Sequence, residues 1–420
     1  MSEKIFSVAI LGVGARGGDV YGRIMASMPD KFKIVSLCDL KKERISFYGE
    51  EFGVAEDARF QTEEEFFEKK RADVLIVATQ DADHVRHAIK GFELGYDILL
   101  EKPITDSKKE CKRLLKAQKK YGGKALVCHV LRYAPAFTKA YEILESGAIG
   151  KLVCIEALER VGYWHQAHSF VRGNWRSTKY TAPMILAKCC HDLDLLQYYA
   201  KSKCKSISSV GELSYFKPEN APEGAADRCV ECKYADTCPY SAKRIYIENW
   251  HTDGDPSDTW PYNVVTQAPH DEEKIYEAIK NGPYGRCAYK CDNNVVDHQL
   301  TQISFENGVK ASLNMMAFTK SGGRRIHFFG TVGELILEED NETLTIRKFG
   351  GDNDVIDIST KNLGGYYHGG GDVMLIRNLY EVLSGTADGT TTLEASIESH
   401  LMGIYAEKSR ICGAKKYSIR

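Results

Sequence analysis

Residues 5–17, IFSVAILGVGARG, decide the fold of the first part of the chain. The apolar half of this stretch predicts a buried strand, and the glycines that follow lead into a helical pattern. In such a GxGxxG loop, the first glycine permits a tight turn, the second lets the backbone approach a pyrophosphate, and the third lets the helix pack on the strand. Free N–H groups at the start of the helix attract the anion. The predicted dinucleotide-binding residues of the loop are Gly12, Gly14, Ala15, Arg16 and Gly17.

An acidic residue ends the second predicted strand. Residues 32–38 are apolar, and Asp39 follows them, about 20 residues beyond the glycines. A carboxylate at this distance hydrogen-bonds the ribose hydroxyls of NAD and repels the 2′-phosphate of NADP. Three cations come soon after it, Lys41, Lys42 and Arg44. NAD is therefore the expected cofactor, and NADP is the alternative.

Two more apolar runs, residues 73–79 and 96–100, continue the series of strands, with helical segments between them. Strands that alternate with helices predict a doubly wound parallel sheet. Ligands of such a sheet bind at the carboxyl ends of its strands. The residues expected at the cofactor from these two ends are Thr79, His84, Glu101 and Lys102.

Length and composition are those of a globular protein with two or three domains. The 420 residues are 43% hydrophobic and 27% charged, and 56 Lys and Arg against 58 Asp and Glu leave a formal net charge of −2. Without a long run of one sign, neither nucleic acid nor a membrane surface is an expected partner. The first apolar run is short for a signal peptide, and most cysteines are scattered, so a cytoplasmic location is expected.

The glycine loop, Asp39, residues 78–84 (ATQDADH) and above all residues 101–103 (EKP) resemble the Gfo/Idh/MocA oxidoreductase family. The similarity continues through residues 130–135, 146–151 and 191–194, and covers nearly the whole chain except one insertion. The resemblance implies an N-terminal Rossmann domain, residues 1–128, and a C-terminal α/β domain, residues 129–420, with a large, mainly antiparallel sheet. In the family that sheet often forms the oligomer interface, so a homodimer or homotetramer is expected.

The same resemblance implies catalytic residues. Lys102 matches the family's active-site lysine, which contacts the substrate hydroxyl, and His191 matches its usual catalytic histidine. Hydride loss from a carbinol carbon also releases a proton, which an imidazole accepts near neutral pH, and an ammonium group stabilises the developing alkoxide.

One position departs from the family pattern. Many members have an aspartate four residues before the histidine, and this chain has Ala187. Lys188 lies three residues before His191 and shares its face if the segment is a helix. There it could donate to a substrate hydroxyl and lower the histidine pKa by like charge. We therefore count Lys188 with Lys102 and His191, and leave open whether His191 is a base or a substrate clamp.

Residues 164–176, WHQAHSFVRGNWR, are rich in groups that bind carbohydrate. Aromatic faces suit the C–H surfaces of a sugar, and arginine binds hydroxyls or a carboxylate. The alternative is a loop at a protein interface, where the same residue types are enriched. Near the end of the chain, residues 366–371 (YYHGGG) allow close backbone approach, and Asp372 can cap the helix that follows. The expected substrate-binding residues are Arg132, Tyr133, Trp164, His165, His168, Arg172, Trp175, Arg176 and His368.

An insertion at about residues 217–294 contains five of the 13 cysteines. Cys229 and Cys232 form a CxxC motif, Cys238 follows, and Cys287 and Cys291 come later. Three close thiols with a distant fourth can bind zinc tetrahedrally, and structural zinc on Cys229, Cys232, Cys238 and Cys287 is expected. Four cysteines also hold an iron–sulfur cluster, and free thiols are a further alternative.

These features together predict an NAD-dependent dehydrogenase that acts on a CH–OH group of a sugar, sugar derivative or cyclitol. A rival is an NAD-dependent glycosidase that oxidises the sugar transiently and eliminates the aglycone, since relatives in the family work that way. It needs an extra base, for which Tyr163, His165 or His168 could serve. A third hypothesis is a dinucleotide-binding sensor without catalysis, which the missing aspartate favours.

Overall fold

The structure is a computed structural model that describes residues 4–248, 260–266, 271–358 and 368–419. Within these residues, no helix has the length and apolar character needed to cross a membrane. Of the YYHGGG motif, Tyr366 and Tyr367 lie outside the described residues.

The first sheet has six strands, and every neighbouring pair is parallel. The order β3-β2-β1-β4-β5-β6 reverses direction between β1 and β4, which is the place where ligands bind in open sheets of this kind. The predicted doubly wound parallel sheet is confirmed. Its strands are β1 Phe6–Leu11, β2 Phe32–Cys38, β3 Arg59–Phe60, β4 Val74–Val77, β5 Asp97–Leu100 and β6 Ala125–Val127.

The second sheet has nine strands in the order β14-β13-β12-β11-β7-β10-β9-β8-β15. It is antiparallel except where β10 runs parallel to β7, so the predicted mainly antiparallel sheet is also confirmed. Buried and exposed residues alternate along β9, as expected where one face packs on a core. The strands are β7 Leu152–Arg160, β8 Cys204–Glu212, β9 His298–Phe305, β10 Lys310–Met316, β11 Gly323–Gly330, β12 Gly333–Glu338, β13 Thr343–Lys348, β14 Asn353–Asp357 and β15 Tyr417–Ser418.

Eight helices of ten or more residues are present among the described residues. They are α1 Lys42–Glu51, α2 His84–Glu93, α3 Lys108–Tyr121, α4 Pro135–Glu145, α5 Cys190–Ala200, α6 Glu272–Asn281, α7 Gly371–Ser384 and α8 Leu393–Ile411. Shorter α-helical segments are Arg23–Ala26, Glu63–Phe66, Tyr163–His165, Met184–Ala187 and Tyr262–Val265. Wider π-helical turns are Ala15–Gly22, Gln166–Arg172 and Arg244–Glu248. Tighter 3₁₀ turns are Glu56–Ala58, Val130–Tyr133, Pro218–Asn220, Cys229–Glu231, Pro283–Gly285, Glu339–Asn341 and His368–Gly370.

Two helices near the end of the chain complete the N-terminal core. Apolar residues of α7 pack with those of β1 and β2, and α8 contributes to two cores. Leu393 and Ile397, at its start, pack under the first sheet, whereas Met402 and Ala406 pack with the nine-stranded sheet. This helix therefore joins the two sheets, and segments far apart in sequence can meet between them.

Strand β8 ends at Glu212, just before the insertion. The backbone N–H groups of Ser214 and Tyr215 donate to the Asp297 carboxylate, each at 2.8 Å. These bonds replace sheet pairing, so the strand ends at Glu212 and Phe216 joins the core of the insertion.

Candidate active site

The glycine loop makes a turn that has no room for side chains. Gly12 has a φ of +91°, and a Cβ on it would lie 2.5 Å from the Ala78 carbonyl oxygen. A Cβ on Gly17 would lie 2.0 Å from the Gly12 carbonyl oxygen. Beside the turn, the Asp39 carboxylate accepts hydrogen bonds of 2.9 Å from the backbone N–H groups of Val13 and Lys41. The loop thus has the close approach of backbone to backbone that a dinucleotide cradle requires.

Substituting Gly12 by alanine tests this crowding. We expect Gly12→Ala to weaken NAD binding about tenfold or more, which is about 1.4 kcal/mol, and to destabilise the fold. Gly95→Ala is the matched control, because Gly95 has a φ of +79° but nothing within 4 Å of its Cβ position. The control should cost about 1–2 kcal/mol for the left-handed backbone alone and leave the NAD dissociation constant unchanged. The NAD dissociation constant is measured by calorimetric titration and the free energy of unfolding in urea. If Gly12→Ala and Gly95→Ala changed both quantities equally, the proposed role of the close contact at Gly12 would be contradicted.

Arg16 links the glycine loop to two distant carboxylates. Its Nε lies 2.7 Å from Glu101 Oε1, and its Nη2 lies 2.6 Å from Asp372 Oδ1. Burial raises the pKa of both carboxyls, but the Arg16 charge outweighs this, so both pKa values lie below their usual range. Asp372 Oδ2 also lies 3.0 Å from His368 Nδ1, at hydrogen-bond distance. Asp372 therefore does not cap α7 as predicted, because its carboxylate is engaged by Arg16 and His368.

The other predicted cofactor residues lie at the carboxyl ends of β4 and β5. The His84 ring lies 3.0 Å from the Thr79 carbonyl oxygen and 2.7 Å from the Pro103 carbonyl oxygen. The Glu101 carboxylate accepts a 2.8 Å hydrogen bond from the Lys102 backbone N–H. These contacts fix the two strand ends side by side at the edge where the glycine loop also lies.

The Lys102 charge acts on the rings of three histidines, His129, His191 and His368. The His191 ring centroid is 5.7 Å from that of His368 and 6.0 Å from that of His129. Burial lowers the pKa of His191 well below 6.5, and the Lys102 charge lowers it further. Neither ring nitrogen of His191 has a hydrogen-bond partner among the described residues. The site therefore presents a neutral imidazole and an ammonium group together, while His368 has a strained left-handed φ of 56°.

Lys188 belongs to a buried network of charges that the sequence pattern did not indicate. Its Nζ lies 3.1 Å from Glu159 Oε1, and Glu159 Oε2 lies 2.9 Å from Arg324 Nη2. Arg324 Nε lies 2.8 Å from Asp192 Oδ1. Burial raises the pKa of Asp192 to about 7 in spite of Arg324. A carboxylate from β7 thus pairs with Lys188 in a region where the family aspartate is replaced by Ala187.

The proposed common helix face of Lys188 and His191 is wrong. One helix covers Met184–Ala187, and α5 begins only at Cys190. Lys188 lies in the break, where its side chain turns toward Glu159. The i, i+3 spacing therefore gives no information about how the two side chains face each other.

Two of the predicted substrate-binding residues, Trp164 and His165, border the cluster of histidines and lysines. The ring of Trp260 lies 5.0 Å from that of Trp164 and 4.6 Å from that of His165, centroid to centroid. Burial lowers the pKa of His165 well below 6.5, and the charges of Lys188, His168 and Lys102 lower it further. His165 is thus close enough to both lysines for their charges to act on its ring.

Four other predicted substrate-binding residues have contacts elsewhere in the protein. Arg132 Nε and Nη2 donate to the Asp194 carboxylate, at 2.5 and 2.7 Å, and the Tyr133 hydroxyl bonds Asn378 and Thr391. His168 Nδ1 lies 2.7 Å from the Tyr246 hydroxyl. Trp175 packs against the core of the second sheet. These contacts hold Arg132, Tyr133, His168 and Trp175 within the protein, and their binding of substrate stays a prediction.

Arg172 and Arg176 also face the insertion instead of the cluster. Arg172 is fully buried, and its Nη2 donates to the Tyr240 carbonyl oxygen at 2.6 Å. Arg176 Nε bonds Asp292 at 2.7 Å. The density of polar groups in residues 164–176 therefore serves two purposes, because only the start of this stretch borders the histidine and lysine cluster.

The predicted metal ligands lie together but do not form an ion site. Cys229, Cys232, Cys238 and Cys287 line one cavity of ≈ 20 Å³, and all 13 cysteines are free thiols. In the described part of the chain, no group of three or more His, Cys, Asp or Glu side chains is placed to hold a metal ion. Neither the predicted zinc nor its iron–sulfur alternative is thus supported by an assembled set of ligands.

Comparison with known families covers most of the chain. A family model described as "Oxidoreductase family, NAD-binding Rossmann fold" matches residues 6–129. A second, described as "Oxidoreductase family, C-terminal alpha/beta domain", matches residues 141–410. The glycine loop and Lys102 lie inside the first match, and His191, Lys188 and Glu159 lie inside the second.

Individual relatives have low sequence identity but long alignments. The oxidoreductase YteT of Bacillus subtilis (strain 168) is 22% identical over 415 residues, which are 92% of this chain and 93% of the relative. The scyllo-inositol 2-dehydrogenase (NAD(+)) of the same organism is 26% identical over 205 residues, 49% of this chain and 57% of the relative. A levoglucosan dehydrogenase structure with NADH and levoglucosan superposes with a TM-score of 0.71 at 15% identity, covering 99% of this chain and 100% of that one.

Proposed function

Because the chain belongs to the Gfo/Idh/MocA family of NAD-binding oxidoreductases, we propose that it is a dehydrogenase acting on a CH–OH group of a sugar, sugar derivative or cyclitol. The observation that carries this proposal is the buried His191 ring, which has no hydrogen-bond partner among the described residues and whose pKa is lowered by burial and by the Lys102 charge. Relatives named for scyllo-inositol and levoglucosan support a polyhydroxylated substrate.

Each residue of the cluster has a distinct role in this proposal. NAD, when bound, supplies the hydride acceptor or donor. Lys102 holds the substrate oxygen and stabilises negative charge on it. His191 takes the hydroxyl proton on a free ring nitrogen. Lys188 is held by Glu159 and donates to a second hydroxyl of the substrate. His368 and Trp164 border the substrate site.

A substrate panel tests the proposed function. Purified protein is mixed with NAD and, one at a time, with free sugars, cyclitols and glycosides, and NADH is followed by absorbance. Net NADH formation with a sugar or cyclitol is the expected result. No turnover of any polyol in either direction, by protein that binds NAD, would overturn the proposal and favour the sensor hypothesis.

The pH dependence of kcat/KM follows from the state of His191. Its pKa lies well below 6.5, so the base stays unprotonated when the pH falls from 8 to 6.5 and the rate constant should not drop through its protonation. Loss of activity on the acidic side should begin only below pH 6.5. In Lys102→Met the like charge is gone, so the acidic limb of the residual activity should move to higher pH. A wild-type midpoint at or above 6.5 would contradict this assignment.

NAD is proposed over NADP because the Asp39 carboxylate lies beside the glycine loop, where its negative charge repels a 2′-phosphate. Arg44 Nη1 is 3.9 Å from Asp39 Oδ2 and is the group that would favour a 2′-phosphate. Calorimetry should give a lower dissociation constant for NAD than for NADP. In Asp39→Ala the difference between these two dissociation constants should become smaller.

A homo-oligomer formed through the second sheet, in the cytoplasm, is part of the proposal. Val210 and Leu300 are register partners on β8 and β9, and both are about half exposed. Apolar side chains on an open sheet face are typical of subunit interfaces. Light scattering should give a mass of two or four chains, which Leu300→Glu should reduce.

The NAD-dependent glycosidase is a second candidate, and the position of His165 favours it. Burial and the charges of Lys188 and Lys102 lower the pKa of this imidazole, so it is neutral. It could remove a proton from the sugar carbon next to the oxidised carbon. Cleavage of a glycoside without net NADH, lost in His165→Gln, would establish this activity in place of simple dehydrogenation.

A further inference from the structure

One residue of the insertion contacts the helical turn that follows the glycine loop. Asn263 lies in the short helix Tyr262–Val265, and its Nδ2 donates to Asp19 Oδ2 at 2.8 Å. Asp19 belongs to the turn Ala15–Gly22, which follows the glycine loop directly. The Tyr48 hydroxyl, from α1, donates to the other oxygen of the same carboxylate. The insertion therefore contacts the dinucleotide-binding domain next to its glycine loop.

The contact with Asp19 fixes the orientation of the Asn263 amide. An ionised carboxylate only accepts hydrogen bonds, so the amide nitrogen must face it and the amide oxygen is left for another donor. That oxygen, Oδ1, is buried and has no hydrogen-bond partner among the described residues. A buried acceptor without a donor is costly, and nearly all such atoms in folded proteins have a partner. A donor group of a bound ligand would supply the missing partner.

A second link between the insertion and this part of the first domain is electrostatic. Burial raises the pKa of Tyr284 to about 12, and the charge of Arg44 acts on it in the opposite direction. Arg44 Nη1 lies 3.9 Å from Asp39 Oδ2, the carboxylate expected at the ribose, and would be 3.3 Å from a Cβ on Gly14. Both links therefore connect the insertion to the side of the domain where the adenosine half of NAD is expected.

We propose that the insertion is part of the cofactor site and that Asn263 Oδ1 accepts a hydrogen bond from the adenosine half of bound NAD. The donors of that half are the ribose hydroxyls and the adenine amino group, whereas the pyrophosphate only accepts. The match to the NAD-binding family model ends at residue 129, so Asn263 adds a contact from outside that domain. Asp19 acts as a positioning residue, because it orients the amide. The inference rests on NAD binding and not on the proposed dehydrogenase activity.

Calorimetric titration with NAD, ADP and nicotinamide mononucleotide tests this inference. Asn263→Leu keeps the approximate size of the side chain and removes the acceptor, so the dissociation constants of NAD and ADP should rise about tenfold. That of nicotinamide mononucleotide, which lacks the adenosine half, should not change. Asn281→Leu is the matched control, because Asn281 is exposed in the same insertion and its amide bonds Glu277. It should leave all three dissociation constants unchanged.

Hydrogen–deuterium exchange of the unaltered protein is an independent measurement, which decides alone if urea unfolding shows that Asn263→Leu is not folded. Adding ADP should slow the exchange of backbone amides at residues 260–266 as well as in the glycine loop. Adding nicotinamide mononucleotide should leave residues 260–266 unchanged.

Two results would overturn the inference. They are equal ADP dissociation constants in folded Asn263→Leu and Asn281→Leu, and ADP binding that leaves the exchange at residues 260–266 unchanged. Both readouts are nucleotide binding and not turnover, so they are independent of whether a substrate is found. Absence of NAD and ADP binding by the unaltered protein would overturn the cofactor assignment itself, and this inference with it.

Discussion

Replacing Lys102 by methionine is expected to lower kcat about a hundredfold to a thousandfold, the usual effect of removing one group that stabilises an oxyanion. Methionine keeps an unbranched apolar side chain and removes the ammonium charge. No carboxylate pairs with Lys102 Nζ within the described part of the chain, so the charge is free to act on a substrate oxygen. Burial lowers the pKa of His191, the proposed base, and the Lys102 charge lowers it further.

Steady-state kinetics on the substrate found in the panel, with NAD titration in parallel, measure this effect. The exposed Lys90→Met is the control and should leave both kcat and the NAD dissociation constant unchanged. Lys102→Arg keeps the charge and should retain more activity than Lys102→Met. A folded Lys102→Met protein with wild-type kcat would show that this ammonium does not contact the reacting oxygen.

Local sequence signals were sufficient for the dinucleotide half of the site. The strand, the glycine loop and Asp39 follow each other within 39 residues, and the parallel order of six strands agrees with the alternation of strands and helices. Each of these features depends on residues close together in the chain. Lys102 and His191 were indicated by resemblance to a family, and the structure places them in one cluster.

Local patterns could not predict the buried network of Glu159 and Arg324, nor the partners of Arg172 and Arg176. Glu159 and Arg324 are register partners on β7 and β11, and no local pattern specifies that these two strands pair. The carboxylate at position 159 occupies an inward position of β7, after Ile155 and Ala157, which is a signal of an unusual buried charge but not of its partner. The partners of Arg172 and Arg176, Tyr240 and Asp292, lie in the insertion. The sequence of the insertion has little periodicity, so these contacts could not be predicted from it.

The second large effect is expected from Glu159→Gln, which should lower the free energy of unfolding by about 3–5 kcal/mol, the usual cost of removing one partner of a buried ion pair. Glu159 is completely buried and faces both Lys188 and Arg324. Without its charge, Lys188 has no anion at 3.1 Å and its ammonium should leave the position proposed for a substrate hydroxyl. The loss of stability should therefore come with a rise in KM.

Urea unfolding of Glu159→Gln and of the exposed Glu156→Gln on the same strand separates the buried pair from a general effect of removing charge. The control should change the unfolding free energy by less than about 0.5 kcal/mol. Glu159 also raises the pKa of Asp192, so that pKa should fall in the variant, and Asp192 should then stay ionised and neutralise Arg324 more fully. If Glu159→Gln is as stable as Glu156→Gln, this compensation is complete, and the pairing of Glu159 with Lys188 contributes little to the fold. Retention of a wild-type KM together with full stability would overturn the role of Glu159 in placing Lys188.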